Sequence, residues 1–165
     1  MIIMQNPSYI KEAYMKVIKK ILLCVGMLSC LGANAADIEV ADAFVQIVPH
    51  NNKAAAAFMR IENHTDKDIA LVGGKSPISE NTELHTHIHK NGMKTMVQVP
   101  EILVKAYGEV DLEPGGYHVM FINLIEPLKE GQKVSFSLQF SNGNTIELKD
   151  IGVIEAKGHT KHAHH

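Results

Sequence analysis

Residues 133–140 have the sequence KVSFSLQF and residues 145–151 have the sequence TIELKDI, with the four residues SNGN between them. In both segments apolar and polar side chains alternate, as they do in a strand that buries one face. The Asn142-Gly143 pair between the segments favours a tight hairpin turn, because these residue types tolerate positive φ. The stretch therefore predicts an antiparallel hairpin, and it assigns this part of the chain to an all-β domain.

The rest of the chain after residue 36 follows the same pattern and contains no long amphipathic helical segment. Short runs rich in Val, Ile, Phe and Thr are separated by Gly, Pro, Asn and Asp. A turn is expected at Glu113-Pro114-Gly115-Gly116, where Pro and Gly supply the required φ values. The fold class is predicted to be all-β, either an immunoglobulin-like sandwich or a Greek-key barrel. The predicted strands are 38–48, 55–62, 68–73, 83–89, 94–98, 102–106, 109–112, 117–123, 133–140 and 145–151.

The N-terminal segment has the features of an export signal. Residues 15–35 have the sequence MKVIKKILLCVGMLSCLGANA, in which lysines precede an apolar run and an A-x-A site ends at Ala35. This is the pattern of a secretory signal peptide, and Met15 is a candidate for the true start. We predict a signal peptide over residues 1–35, cleavage after Ala35 and a periplasmic protein. The apolar run is too short for a comfortable membrane span, and none is expected in the mature form.

A second processing route is open at Cys30. Leu28-Ser29-Cys30 resembles a bacterial lipobox, whose use would place a lipid on Cys30. Because Met27 stands where a lipobox usually has leucine, and the A-x-A site downstream is good, cleavage after Ala35 is the favoured prediction. Both routes export the remaining chain, in which we expect a β domain over residues 36–154 and a flexible His-rich tail over 155–165.

Composition points towards metal binding. The 165 residues favour one domain, and they include ten histidines and eight methionines but only two cysteines. Removing residues 1–35 takes away four lysines, one glutamate and both cysteines, leaving 12 Lys+Arg, 17 Asp+Glu and a formal charge of −5. This balance offers no basic surface for nucleic acid. Blue-copper electron transfer is also excluded, because such sites require a cysteine thiolate.

The densest group of metal-binding side chains is His85-Thr86-His87-Ile88-His89. Side chains two apart on a strand share a face, so the three imidazoles could converge as in a catalytic zinc site. Three ligands on one straight strand spread over roughly 13 Å, however, which favours a single ligand with solvent-exposed neighbours. A zinc-binding protein or zinc enzyme built on His85, His87 and His89 is the alternative function.

Two methionines change the chemistry that the histidines predict. His118 and Met120 share one face of a predicted strand, and Met96 lies ten residues after His85. Thioether sulfur is a poor zinc ligand but suits the soft Cu(I) ion. A methionine in a strand usually fills the core, so these residues are informative only in combination.

In combination they match a known motif. The spacing His85-x10-Met96-x21-His118-x-Met120 is that of the periplasmic PCu(A)C copper chaperones, which the chain resembles over residues 38–151. The segments around Pro114 and Pro127 also resemble that family. The resemblance implies a cupredoxin-like β-barrel that carries Cu(I) and is not an enzyme. It implies four metal ligands: His85, Met96, His118 and Met120. It also implies the Cu(A) domain of cytochrome oxidase as acceptor and a Sco-type thioredoxin-like protein as partner.

Histidines outside the motif suggest a second copper site. Imidazole binds Cu(II) well, and a flexible segment can gather several imidazoles around one ion. We therefore expect that the tail captures Cu(II) close to the Cu(I) site, with a merely solvated polar tail as the alternative. The residues available for this secondary site are His87, His89, His159, His162, His164 and His165.

Overall fold

The computed structural model describes residues 37–47, 53–90 and 92–155, and these form ten strands. None of these residues forms a helix with the length and apolar character that a membrane crossing requires. The predicted tail histidines His159, His162, His164 and His165 lie outside the described residues, as does the predicted signal peptide. The strands are β1 Ile38–Ile47, β2 Ala54–Asn63, β3 Ile69–Lys75, β4 Ser79–Lys90, β5 Met93–Gln98, β6 Ile102–Val104, β7 Glu109–Leu112, β8 His118–Leu124, β9 Lys133–Phe140 and β10 Thr145–Glu155.

Each predicted strand is present, and most ends agree to within two residues; β6 ends at Val104 rather than at residue 106, while β4 and β10 are clearly longer than the sequence pattern indicated. β4 begins at Ser79, because Ser79 pairs with Leu124 at the far end of β8. β10 continues to Glu155, because its last residues pair in parallel with β1. In both cases the extension depends on a partner strand distant in sequence, which local alternation does not reveal.

The strands follow the order β5-β4-β8-β2-β1-β10-β9-β3-β6, and β7 pairs with the second half of β2. The parallel β1–β10 pair joins two otherwise antiparallel halves. Phe121 on β8 and Phe136 on β9 nevertheless make an edge-to-face ring contact at 5.2 Å, although their strands are far apart in this order. The open sheet therefore folds over so that its halves face each other, as the all-β prediction required.

The main core lies between the two halves. On β2 the inward side chains are Ala55, Ala57, Met59 and Ile61, and on β9 they include Phe136 and Leu138. The opposite, outward face of β2 is also covered at one place, where Ala54, Ala56 and Phe58 form a small second cluster with Met120 of β8. Strand β2 is therefore buried on both faces next to the start of β8, and this second cluster positions the candidate site.

Candidate metal centre

The candidate site lies on the outward face of the β5-β4-β8-β2 half-sheet. His85 on β4 pairs in register with His118 on β8, and His87 on β4 pairs with Met96 on β5. Since paired residues in a sheet project from the same face, these four side chains share the outward surface. Met120 also projects there, because it lies two residues after His118. The structure thus places all four predicted ligands and His87 on one face of the sheet.

His118 is fixed by the turn that precedes β8. Gly116 N–H donates to the Glu113 carbonyl at 2.9 Å, and Gly115 has a φ of 95°, as the Pro-Gly-Gly sequence predicted. The turn aims the Gly116 carbonyl at His118, whose Nδ1 donates to it at 3.1 Å. A carbonyl oxygen only accepts, so Nδ1 carries the proton and Nε2 of the neutral ring keeps its lone pair.

That lone pair faces a sulfur atom. His118 Nε2 lies 3.2 Å from Met96 Sδ, which reaches it across the intervening strand β4. Tetrahedral bonds of about 2.0 Å to nitrogen and about 2.3 Å to sulfur place two ligand atoms about 3.5 Å apart, using zinc bond lengths as a guide. The nitrogen and sulfur are therefore close to the spacing at which they can share one metal ion.

The environment of His118 keeps its ring neutral. His118 is only 3% exposed, and Phe58 packs against its ring with centroids 6.0 Å apart. Burial lowers the pKa of His118 below its ordinary value, the Gly116 hydrogen bond opposes this effect, and the nearby His87 and His85 lower the pKa further. A lowered pKa leaves Nε2 free of a proton at neutral pH and available to a metal.

His85 is oriented by a carboxylate. Its Nε2 lies 2.8 Å from Glu83 Oε2, while its Nδ1 is buried and has no hydrogen-bond partner among the described residues. An ionised carboxylate accepts only, which places the proton on Nε2 and the lone pair on Nδ1. A carboxylate that holds the outer nitrogen of a ligand histidine is a recurring feature of metal sites. Sequence reasoning missed Glu83, although its position two residues before His85 placed it on the same face.

The two methionines differ in their access to solvent. Met96 is 44% exposed on the edge strand β5, whereas Met120 is 6% exposed within the second cluster, beside Ala56 and Phe58. Because Ala56 is its register partner on β2, Met120 has a small cross-strand neighbour on that side. One thioether therefore lies at the mouth of the site and the other at its base.

The three histidines of β4 have different surroundings. The His118 ring contacts both His85 and His87, with centroid distances of 5.9 Å and 5.3 Å. His89 is exposed and pairs in register with Lys94, one step beyond the His87–Met96 pair. Among the described residues, His85, His87 and His89 do not form a group whose three ligand atoms all lie within 4.8 Å of one another. No closed three-histidine cage on β4 is therefore formed.

A second group of metal-binding side chains lies elsewhere, and sequence reasoning missed it. Ligand atoms of Glu39, Glu62 and His64 lie within 4.8 Å of one another. Cross-strand pairing brings Glu39 beside Glu62, and His64 Nε2 lies 3.3 Å from Glu39 and 3.8 Å from Glu62. These side chains are at least partly exposed and are each other's partners, unlike the buried and unpartnered nitrogens of the candidate site.

Comparison with known proteins identifies similar sequences. A family model described as "Putative lipoprotein LpqE-like" matches residues 38–151. "Putative lipoprotein Lxx21020" from Leifsonia xyli subsp. xyli (strain CTCB07) is 33% identical over 125 residues, which are 73% of this chain and 74% of that protein. The family match spans all the strands that carry the candidate site.

Solved structures are also similar to this chain. The solution structure of Cu(I)-bound DR1885 from Deinococcus radiodurans is 33% identical, covers 76% of this chain and 84% of its own, and has a TM-score of 0.57. The copper-bound PCuAC domain of PmoF2 is 18% identical, covers 73% of this chain and 93% of its own, and has a TM-score of 0.59. The cupredoxin-like fold and the resemblance to PCu(A)C proteins are thereby confirmed.

Proposed function

We propose that this chain, which belongs to the LpqE-like family, is an exported copper chaperone that binds Cu(I) through a His2Met2 site. The proposed ligands are His85, Met96, His118 and Met120. The 3.2 Å approach of His118 Nε2 to Met96 Sδ carries the proposal, because it faces two lone-pair donors towards each other. A cation held between them converts this unfavourable approach into two bonds.

The donor set favours copper in its reduced state. Two neutral imidazoles and two thioethers suit soft Cu(I) better than zinc, which prefers imidazole, thiolate and carboxylate ligands. The relative DR1885, which is 33% identical, is described with Cu(I) bound. An exported protein also benefits from methionine, since it does not form the disulfides that cysteine forms in oxidising compartments.

Exposure of the methionines suggests how copper leaves. A thiolate of an acceptor can reach the metal only at the solvent side, where Met96 is exposed. Replacement of Met96 by the incoming thiolate is the expected first step, and the buried His118 and Met120 release the ion last. The proposed acceptor is the Cu(A) domain of cytochrome oxidase, with a Sco-type thioredoxin-like protein as a further partner. This is a ligand exchange without chemical turnover, so no enzyme activity is proposed.

Export is proposed from the N-terminal signal and from the relatives, whose names describe lipoproteins. Those names favour a lipid on Cys30, whereas the A-x-A site favours a free periplasmic domain that begins at Ala36. Mass spectrometry of the mature N-terminus separates an acylated Cys30 from an unmodified Ala36. The tail histidines remain a predicted second copper site.

Cu(I) titration of methionine variants tests the ligand set. Leucine matches methionine in size and apolarity, so Met96→Leu and Met120→Leu are expected to fold. Each variant should weaken Cu(I) binding by at least about tenfold, the effect typical of even an outer-sphere change. Affinity is measured anaerobically by competition with a Cu(I) chelator, and Zn(II) binding is measured in parallel.

Two other methionines provide matched controls. Met93 lies on β5 like Met96 but on the opposite face and is exposed, and Met59 is buried in the main core. Met93→Leu and Met59→Leu should bind Cu(I) as the unmodified protein does. Equal Cu(I) binding by the Met96 and Met120 variants would contradict the four-ligand site. Tight zinc binding that survives both substitutions would instead favour the zinc function.

A further inference from the structure

One nitrogen near the site is not used by the proposed Cu(I) ligands. His87 Nδ1 is buried without a hydrogen-bond partner in the part of the chain that the structure describes. Its neighbours are Met96, which is its register partner, and His118, whose ring centroid is 5.3 Å away. A buried imidazole nitrogen without a partner is costly, so a ligand for that atom would stabilise this arrangement.

The same face of this half-sheet therefore carries a second, nitrogen-rich set of donors. His85 Nδ1 is also buried and unpartnered among the described residues, His118 Nε2 carries a lone pair, and the His118 ring lies 5.9 Å from that of His85 and 5.3 Å from that of His87. Imidazole is a borderline donor that binds Cu(II) well, whereas thioether sulfur contributes little to that ion. The two oxidation states of copper thus call for different members of this group.

We propose that His87 is a Cu(II) ligand, which joins His85 and His118 to hold oxidised copper in the chaperone site. This inference rests on the proposed copper function. Cu(I) uses the two methionines, and Cu(II) uses His87 in their place. No three of these nitrogens lie within 4.8 Å of one another, so the imidazole rings must turn towards one another when the ion binds. The His87 ring is only partly buried, which leaves room for that rotation.

His89 supplies the matched control for this inference. It is a histidine on the same strand and face, but it is exposed and lies beyond the Met96 pairing. His87→Gln and His89→Gln therefore remove the same chemical group from two positions that differ in access to the site. The experiment uses the full mature chain with His50, His64 and the four tail histidines changed to glutamine, so that imidazoles outside β4 and β8 do not compete.

The probe is copper(II) alone at neutral pH, followed by electron paramagnetic resonance and chelator competition. His87→Gln should weaken Cu(II) binding by more than about tenfold, since losing even an outer-sphere partner costs about 10–100-fold. It should also reduce the nitrogen hyperfine structure, and it should change Cu(I) affinity less than threefold. His89→Gln should leave both ions unaffected. A second variant, His87→Asn, and circular dichroism guard against misfolding.

Three outcomes overturn the inference. The first is an unchanged Cu(II) affinity and spectrum in His87→Gln, and the second is an equal loss in His89→Gln. The third is an equal loss of Cu(I) and Cu(II) binding in His87→Gln, which would make His87 a ligand of both states. Failure of the proposed function is distinguishable, because that failure appears as Cu(I) binding unaffected by Met96→Leu and Met120→Leu.

Discussion

The two faces of strand β8 differ in chemistry but hardly in burial. Val119 and Phe121 point into the main core and are fully buried, while His118 and Met120 point outward and are 3% and 6% exposed. The inward side chains have no polar atoms to satisfy. On the outward face, His118 keeps a free lone pair that faces sulfur. Burial alone therefore does not identify a binding site; buried donors without partners do.

The largest expected effect comes from the inward face. Phe121→Ala removes a fully buried ring that contacts Phe136, so the free energy of unfolding should fall by about 3–5 kcal/mol. Urea denaturation measures this loss. Met120→Leu serves as the comparison on the outward face and should cost less than about 1.5 kcal/mol. Equal destabilisation by the two substitutions would mean that the outward face is a second structural core.

A smaller effect is expected from the carboxylate behind His85. Glu83→Gln keeps the shape of the side chain but weakens its hydrogen bond to His85 Nε2, so His85 is held less firmly for metal binding. Cu(I) affinity should fall by about 10–100-fold, which is about 1.4–2.7 kcal/mol, while one ion still binds. Chelator competition measures affinity and stoichiometry together. Unchanged affinity would show that Glu83 does not orient His85.

The smallest effect concerns the metal-free protein and pH. Because the folded state lowers the pKa of His118, the unfolded chain takes up this proton first as pH falls. Above the unfolded pKa of about 6.5, His118 is neutral in both states and its titration takes nothing from the free energy of unfolding. As pH falls from there through the lower folded pKa, the free energy of unfolding decreases. One proton gives a slope of at most about 1.4 kcal/mol per pH unit. The free energy of unfolding, measured by urea denaturation across this pH range, should change less steeply with pH in His118→Gln than in the unmodified protein. Equal dependence on pH in the two proteins would exclude His118 as the cause.

Local sequence pattern was sufficient to locate the ten strands, though not all of their ends, and to predict the turn before β8. Alternation along β9 and β10 follows from the two-residue period of an extended chain, which needs no knowledge of partner strands. The Pro-Gly-Gly turn likewise depends on the φ preferences of its own residues, and Gly115 has the positive φ expected. The spacing of the four motif residues also identified the family, because residue types at fixed positions are a property of the sequence itself.

Strand order and register were decided only by the tertiary structure. They place Met96 across β4 from His118, pair His87 with Met96, and leave His89 outside the group. The extensions of β4 and β10 have the same origin, since each depends on hydrogen bonds to a distant strand. The sequence alone determined which donors the chain carries and which faces they share along a strand. Long-range pairing decided which donors meet, because hydrogen bonds between strands set their positions and local periodicity does not.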